Sequence, residues 1–280
     1  MSVSVAMIDV FGAQAFSGNP LAVISGAGDI STEEMLRITR WFNLSETTFL
    51  LPPTDPAADY RVRIFTLERE MPFAGHPTLG TCHAWLEAGG AQKNGGEIVQ
   101  ECGAGLVRIR REAGRLAFAA PALVRSGPPS TEDLAEAVRF LGIAADGVID
   151  AAWVDNGPGW LGIRLASAEL VLALKPSRSW PGRIDIGVVG PHAAGGDATF
   201  EVRAFFSDHT GAIIEDPVTG SLNASLAQWL FESGLADADY VAAQGTCLGR
   251  KGRVYASRDG EGQVWIGGET RTHVAGQLSL

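Results

Sequence analysis

Three side chains in this sequence combine a chemistry-bearing type with a suggestive neighbourhood: Glu46, His76 and Asp216. His76 and Asp216 head two segments, His76-Pro77-Thr78-Leu79-Gly80 and Asp216-Pro217-Val218-Thr219-Gly220, which share a polar-Pro-x-x-Gly pattern and lie 140 residues apart, half the chain. An apolar run with helical spacing follows each, carrying Leu79, His83 and Leu86 in the first and Leu222, Leu226, Trp229 and Leu230 in the second. Both runs are apolar around most of the circumference, so each is expected to be a helix buried inside its own half. Pro suits the first helical position, where its missing N–H would have no partner, and this makes His76 and Asp216 the expected N-caps. The free N–H groups of such a helix mouth, with the helix dipole behind them, favour an anion such as a carboxylate. Asp is a preferred cap, and for Asp216 capping alone is the plainer account; His is not, so His76 is harder to explain without chemistry. If the halves close, the two meet across a cleft, the carboxylate keeping the imidazole protonated or oriented.

Glu46 lies in Asn43-Leu44-Ser45-Glu46-Thr47-Thr48-Phe49-Leu50-Leu51, expected to be a strand after the first helix. Alternation places it on the face of Leu44, Thr48 and Leu50. If that face is apolar, desolvation of the charged carboxyl raises its pKa toward the range useful for taking and returning a proton near neutrality. If the face meets water, Glu46 is merely solvated, and alternation alone does not choose. Other leads point away from metal or cofactor chemistry. His76 and His83 stand about 10 Å apart along a helix, too far to share one ion. Gly157-Pro158-Gly159 and Gly195-Gly196 lack the strand-to-helix context of a nucleotide loop and read as turns. No Gly-x-Ser-x-Gly elbow is present. Cys82, Cys102 and Cys247 are odd in number, far apart and without C-x-x-C spacing, and read as buried thiols. No cofactor and no metal are expected.

The elements that must position these residues are many short strands. The 35 glycines fall mostly between Val-, Ile-, Phe- and Leu-rich runs such as Ala6 to Phe11, Leu106 to Arg110, Val202 to Phe206 and Val264 to Ile266. Two further helices carry capping signatures, Ser31-Thr32-Glu33-Glu34 before Met35, Ile38 and Phe42, and Ser130-Thr131-Glu132-Asp133 before Leu134, Val138 and Leu141. Taken alone, these two are best read as unrelated. The Pro- and Gly-rich stretch Pro121 to Ser130 is the expected linker between halves. With 280 residues, 46% of them apolar, the chain can fill two cores. A net charge of -10 without a basic run argues against nucleic acid. The absence of a leader-like start or a membrane-length apolar run implies a cytoplasmic protein with no membrane partner.

Taken in order, Asp9-Val10-Phe11, Phe16-Ser17-Gly18-Asn19-Pro20-Leu21-Ala22-Val23, Asn43 to Phe49, Pro72 to Gly80, Asp155-Asn156-Gly157, Trp160, Glu215 to Ser221, Gly249-Arg250 and Gly267-Gly268 resemble the phenazine-biosynthesis (PhzF-like) family over essentially the whole chain. The resemblance implies an α+β, diaminopimelate-epimerase-like fold: two pseudo-symmetric domains, each an antiparallel barrel-like sheet around a central helix. It divides the chain into 1–120 and 121–267, with 268–280 packing back on the first half. It implies a cofactor-independent isomerase acting on a small carboxylate, a homodimer, with Glu46 shuttling a proton and His76 and Asp216 assisting. Gly75, Gly220 and Ser221, together with Asn19 and Ser45, would hold the substrate. Related racemases place a cysteine at each helix mouth; here those places hold His76 and Asp216, so a single-base proton shift is expected. One departure is the pair Val218 and Leu222 where the family has alanines, which would alter the substrate if they reach the cleft. The same three residues also suit a lyase or epimerase acting on a small hydroxy or amino acid, and a catalytically silent binding protein is the alternative from another class.

Overall fold

Two strands that lie parallel cannot be joined by a hairpin, and in the parallel pairs described below the connection runs through a helix. The computed structural model describes residues 2–280 apart from Asn94 and His209. It divides into two compact units, Met1–Ala119 with Gly267–Leu280, and Ala120–Ile266.

In the first unit, β1 (Ser2–Val10) pairs antiparallel with β2 (Asn19–Ser25). Helix α1 (Thr32–Phe42) then crosses over to β3 (Thr47–Leu51), parallel to β2. Strand β4 (Tyr60–Phe65) returns antiparallel to β3 and pairs with the short β5 (Glu70–Met71). Helix α2 (Gly75–Glu87) is the second crossover, delivering β6 (Ile98–Cys102) parallel to β4. The hairpins to β7 (Gly105–Glu112) and β8 (Arg115–Ala119) complete the run. The β7–β8 turn, Ala113-Gly114, has φ values of 48° and 80°, the paired left-handed geometry of a tight hairpin.

The capping box expected at Ser31 forms, with the Ser31 hydroxyl accepting from the Glu34 N–H at 3.2 Å. The apolar face of α1 packs Met35, Ile38 and Phe42 against Ile24, Phe49 and Phe65. On the other side of the sheet, α2 packs against β1, β2, β3, β4 and β8, and it is buried from Gly75 to Cys82. Gly80 permits this approach, because a Cβ there would stand 2.5 Å from Leu21 Cδ2 and 3.0 Å from Val10 Cγ2.

The second unit repeats this order. It starts with β9 (Arg125–Gly127) and α3 (Thr131–Leu141), then β10 (Asp150–Asp155), which pairs antiparallel with β9 and β11 (Leu161–Arg164). Helix α4 (Ala168–Ala173) crosses to β12 (Asp185–Pro191), parallel to β11, and β13 (Phe200–Ser207) returns antiparallel to it. The short β14 (Ile213–Glu215) and helix α5 (Gly220–Glu232) lead to β15 (Tyr240–Gln244), parallel to β13, then β16 (Gly252–Arg258) and β17 (Val264–Gly268). The final strand β18 (Thr270–Ser279) pairs antiparallel with β1, from Val10↔Thr270 to Ser2↔Ser279.

In strand order α2 and α5 are counterparts, each 13 residues long and following a short strand. The Ser31 and Ser130 helices are not counterparts, since α1 bridges β2 to β3 whereas α3 precedes β10. The buried face of α3 is Ala137, Phe140 and Leu141 with Leu134 beside them, one step round from the expected Val138. The stretch Pro121 to Ser130 opens the second unit, just past the division at Ala119/Ala120, and contains β9, whose backbone is paired to β10. Among the described residues, no helix is long and apolar enough to cross a membrane.

Candidate active site

The mouth of α2 brings Glu46 and His76 together. Glu46 lies in the loop before β3, not in the strand expected of it, because Asn43 ends α1 in the left-handed conformation (φ 54°) and Leu44-Ser45 complete the turn. Alternation still sets its direction. The Thr48 hydroxyl accepts from Thr81 of α2 at 2.9 Å, while Phe49 faces the α1 core, so the Glu46–Thr48 side looks toward α2. Glu46 Oε2 lies 3.5 Å from His76 Nε2, and the two side chains are only 18% and 4% exposed. On the other side of the ring, the fully buried Asn19 places its amide nitrogen 3.4 Å from His76 Nδ1. Ser45 is half-buried in the loop beside Glu46.

Helix α2 begins at Gly75 with Ala74 as N-cap, so His76 is a first-turn residue and Pro77 follows it, one step further in than expected. No side chain caps this end, unlike α1, α3 and α4, each of which has a capping Ser. Desolvation pushes the His76 imidazole down to about 3, so it is neutral near pH 7 and is not held protonated by a carboxylate. Below the ordinary 6.5 the unfolded chain takes up a proton that the folded chain refuses until about pH 3, so stability falls as pH falls through that window. Between pH 7.5 and pH 5 this contributes about 2 kcal/mol of acid destabilisation. Urea unfolding at the two pH values is expected to show that loss in the native chain and its removal in His76→Gln.

Asp216 lies in the second unit, four residues before α5, whose N-cap is Thr219; it is therefore not the cap expected. Its carboxylate accepts from the Thr219 hydroxyl at 2.6 Å, and its backbone N–H donates to the Ala204 carbonyl. Gln244, fully buried on β15, holds this turn by donating to the Asp216 carbonyl (3.1 Å) and Thr219 Oγ1 (2.9 Å) while accepting from Thr219 N–H (3.0 Å) and Asn223 Nδ2 (2.8 Å). The preceding residue, Glu215, is clamped by Arg203 in a two-pronged pair at 2.9 and 2.8 Å. Gly220 and Ser221 open α5 without a side-chain cap. The Ser221 hydroxyl accepts from the Trp160 indole at 3.1 Å and its carbonyl accepts from Asn156 Nδ2, leaving the hydroxyl proton for another acceptor.

Val218 and Leu222, the bulky departures, are fully buried and turn inward: Val218 packs on Gly252 and Leu222 on Gly187, glycines whose missing Cβ makes the room. None of the cysteines heads a long helix. Cys82 is buried within α2, where desolvation pushes its thiol up to about 12; Cys102 ends β6; Cys247 lies in a short 3-10 turn and is exposed, against the expectation of burial. Gln244, Arg203 and the equivalent Gln100 of β6, which donates to Thr78 and accepts from Tyr60, carry no pattern in the sequence that marks them. A separate cavity of about 330 Å³ in the first unit is lined mainly by apolar groups such as Pro52, Pro53 and Trp85. It lies toward the far end of α2, and its one carboxylate, Asp59, is committed to the Lys93 and Val99 N–H groups.

Comparison with known proteins agrees with the whole-chain resemblance. The chain is 34% identical to antisense-enhancing sequence 1 of Schizosaccharomyces pombe, across 96% of both chains. It is 31% identical to the trans-2,3-dihydro-3-hydroxyanthranilate isomerase of Pseudomonas chlororaphis, across 96% of this chain and 94% of that one. The crystal structure of the Bacillus anthracis phenazine biosynthesis protein of the PhzF family superposes with a TM-score of 0.80 at 23% identity over the full length of both, which shows the shared fold. The phenazine biosynthesis-like (PhzC-PhzF) family pattern matches residues 8–277, taking in the segments that carry Glu46, His76 and Asp216, and this chain belongs to that family.

Proposed function

We propose that this protein is a cofactor-independent isomerase that moves a proton on a small carboxylate substrate, with Glu46 as the base that removes and returns it. The observation that carries the reading is the Glu46–His76 contact, 3.5 Å between largely buried side chains at the uncapped mouth of α2. A carboxylate beside a neutral imidazole can take a proton from carbon and give it back elsewhere on the same face, while the imidazole N–H offers a hydrogen bond that needs no charge. The first-turn N–H groups at Gly75 and at Gly220, with the Ser221 hydroxyl proton, suit a substrate carboxylate and hydroxyl. Asp216 is the assisting carboxylate in this reading, held ready by Thr219, Gln244 and the Arg203–Glu215 clamp. Asn19 and Ser45 complete the surroundings of the pair. The diaminopimelate-epimerase-like arrangement, with each unit's sheet closed around its long helix, a homodimer and a cytoplasmic setting belong to the same reading.

The positions of the cysteines favour one base over two thiols, as does the upward shift of the Cys82 thiol. The dihydro-hydroxyanthranilate named for the Pseudomonas relative is the first compound to test. Turned over in heavy water, it is expected to gain deuterium at the new C–H position, since a carboxyl proton exchanges with solvent. A variant with Cys82, Cys102 and Cys247 all changed to Ala is expected to keep its turnover nearly unchanged. A folded thiol-free protein without activity, beside an active Glu46→Gln, would replace the single-base reading with a cysteine mechanism.

A further inference from the structure

The ring of His76 stands between two neighbours of opposite hydrogen-bonding type. On Nδ1 it meets the Asn19 amide nitrogen, which can only donate; on Nε2 it meets a Glu46 carboxylate oxygen, which when ionised can only accept. The Asn19 contact makes Nδ1 the acceptor, and the Glu46 carboxylate at 3.5 Å, near enough to act by its charge and not by a hydrogen bond, favours the proton on Nε2. We propose that Asn19 is a positioning residue that locks His76 in the Nε2–H tautomer, so that the imidazole presents a fixed N–H to Glu46 and to whatever oxygen binds beside it. The opposite tautomer would set the lone pair of Nε2 against those of the carboxylate. Desolvation of the imidazole keeps the ring uncharged, as the two contacts require.

Asn19 is itself held by construction. The Asp9 carboxylate, 6% exposed, accepts the backbone N–H groups of Ser17 (3.0 Å) and Gly18 (2.9 Å), the two residues before Asn19. A Cβ on Gly18 would collide with the Val10 carbonyl, and one on Gly12 would stand 2.5 Å from the Asp9 carboxylate, so the loop closes tightly over that group. Phe11 and Phe16 take left-handed φ values of 67° and 64° in the same loop, conformations that persist only where the surroundings enforce them. With no exposed surface, Asn19 reaches the chemistry through His76 and not by touching substrate.

The tautomer follows from the contacts of His76 with Asn19 and Glu46; only its effect on turnover rests on the isomerase reading. Histidine labelled at its ring nitrogens allows the five His side chains to be followed by NMR, with His76→Gln identifying the His76 signals by their loss. In the native protein at neutral pH, His76 is expected to show a protonated Nε2 and a bare Nδ1. A proton on Nδ1, or on both nitrogens, overturns the proposal. In Asn19→Asp the new carboxylate accepts from Nδ1, so the signals should exchange or become those of the charged ring; an unchanged pattern would show that Asn19 does not select the tautomer. Asn19→Leu, which removes the donor without adding an acceptor, is expected to lower kcat by about tenfold or more with KM little altered. Unchanged kcat alongside a lost tautomer preference would refute the positioning role, whereas an inactive native protein with the expected NMR pattern would count only against the isomerase reading.

Discussion

Replacing Glu46 with Gln is expected to lower kcat by about 10²–10⁴-fold, the usual contribution of a positioned base, while leaving the binding of a product analogue close to that of the native protein. Gln keeps the length and shape of the side chain and can still pack beside His76, so the contact with Nε2 changes in hydrogen-bonding character and little in space. What disappears is the ability to hold a proton between its removal and its return. Steady-state kinetics with the dihydro-hydroxyanthranilate, together with calorimetric titration of an analogue, separates the two effects. Loss of binding with kcat retained would make Glu46 a recognition residue and remove it from proton transfer.

The second large effect is one of stability. Arg203, with its side chain 6% exposed, makes a two-pronged pair with Glu215 and gives its remaining amino group to the Val171 and Leu174 carbonyls at the end of α4. Changing it to Met leaves a poorly hydrated carboxylate unpaired and two carbonyls without their donor, and breaking a buried pair in this way costs about 3–5 kcal/mol. Urea unfolding should show a loss of that size in the unfolding free energy for Arg203→Met, with a correspondingly lower midpoint. The double change Arg203→Met with Glu215→Leu is expected to recover part of it, because the stranded charge is gone. If the single and double variants are equally destabilised, the cost lies in packing or in the α4 carbonyls and not in Glu215. Because Glu215 immediately precedes Asp216, the clamp joins the stability of the second unit to the placement of its candidate catalytic carboxylate.

How far the sequence discloses this arrangement depends on the range of the interactions. The capping boxes at Ser31 and Ser130 are local, four residues each, and both form. The kinship of α2 and α5 is also legible, because duplicated order leaves the same polar-Pro-x-x-Gly trace in each. The starting residues are not legible from that trace. At α5 the oxygen of Thr219 is engaged by Asp216 and Gln244, a residue 25 positions away, and no local rule foresees this. Alternation places Glu46 in a strand because it cannot see the left-handed Asn43 that delays β3, although the facing direction it gives survives. The contacts Asn19–His76 and Arg203–Glu215 join residues that no period connects. Val218 and Leu222 look like intrusions in a sequence and turn out to be core, because Gly252 and Gly187 receive them from strands far along the chain.

The pairing of β18 with β1 sets Ser2 opposite Ser279, so the first unit is completed by a segment translated after the whole of the second. A ribosome making this protein therefore releases residues 120–266 as a contiguous stretch able to collapse by local steps, while the earlier unit waits with one edge of β1 unfilled. The order of synthesis and the order of completion are reversed. For that interval the edge of β1 is open to mispairing, and the arrival of β18 ends the exposure.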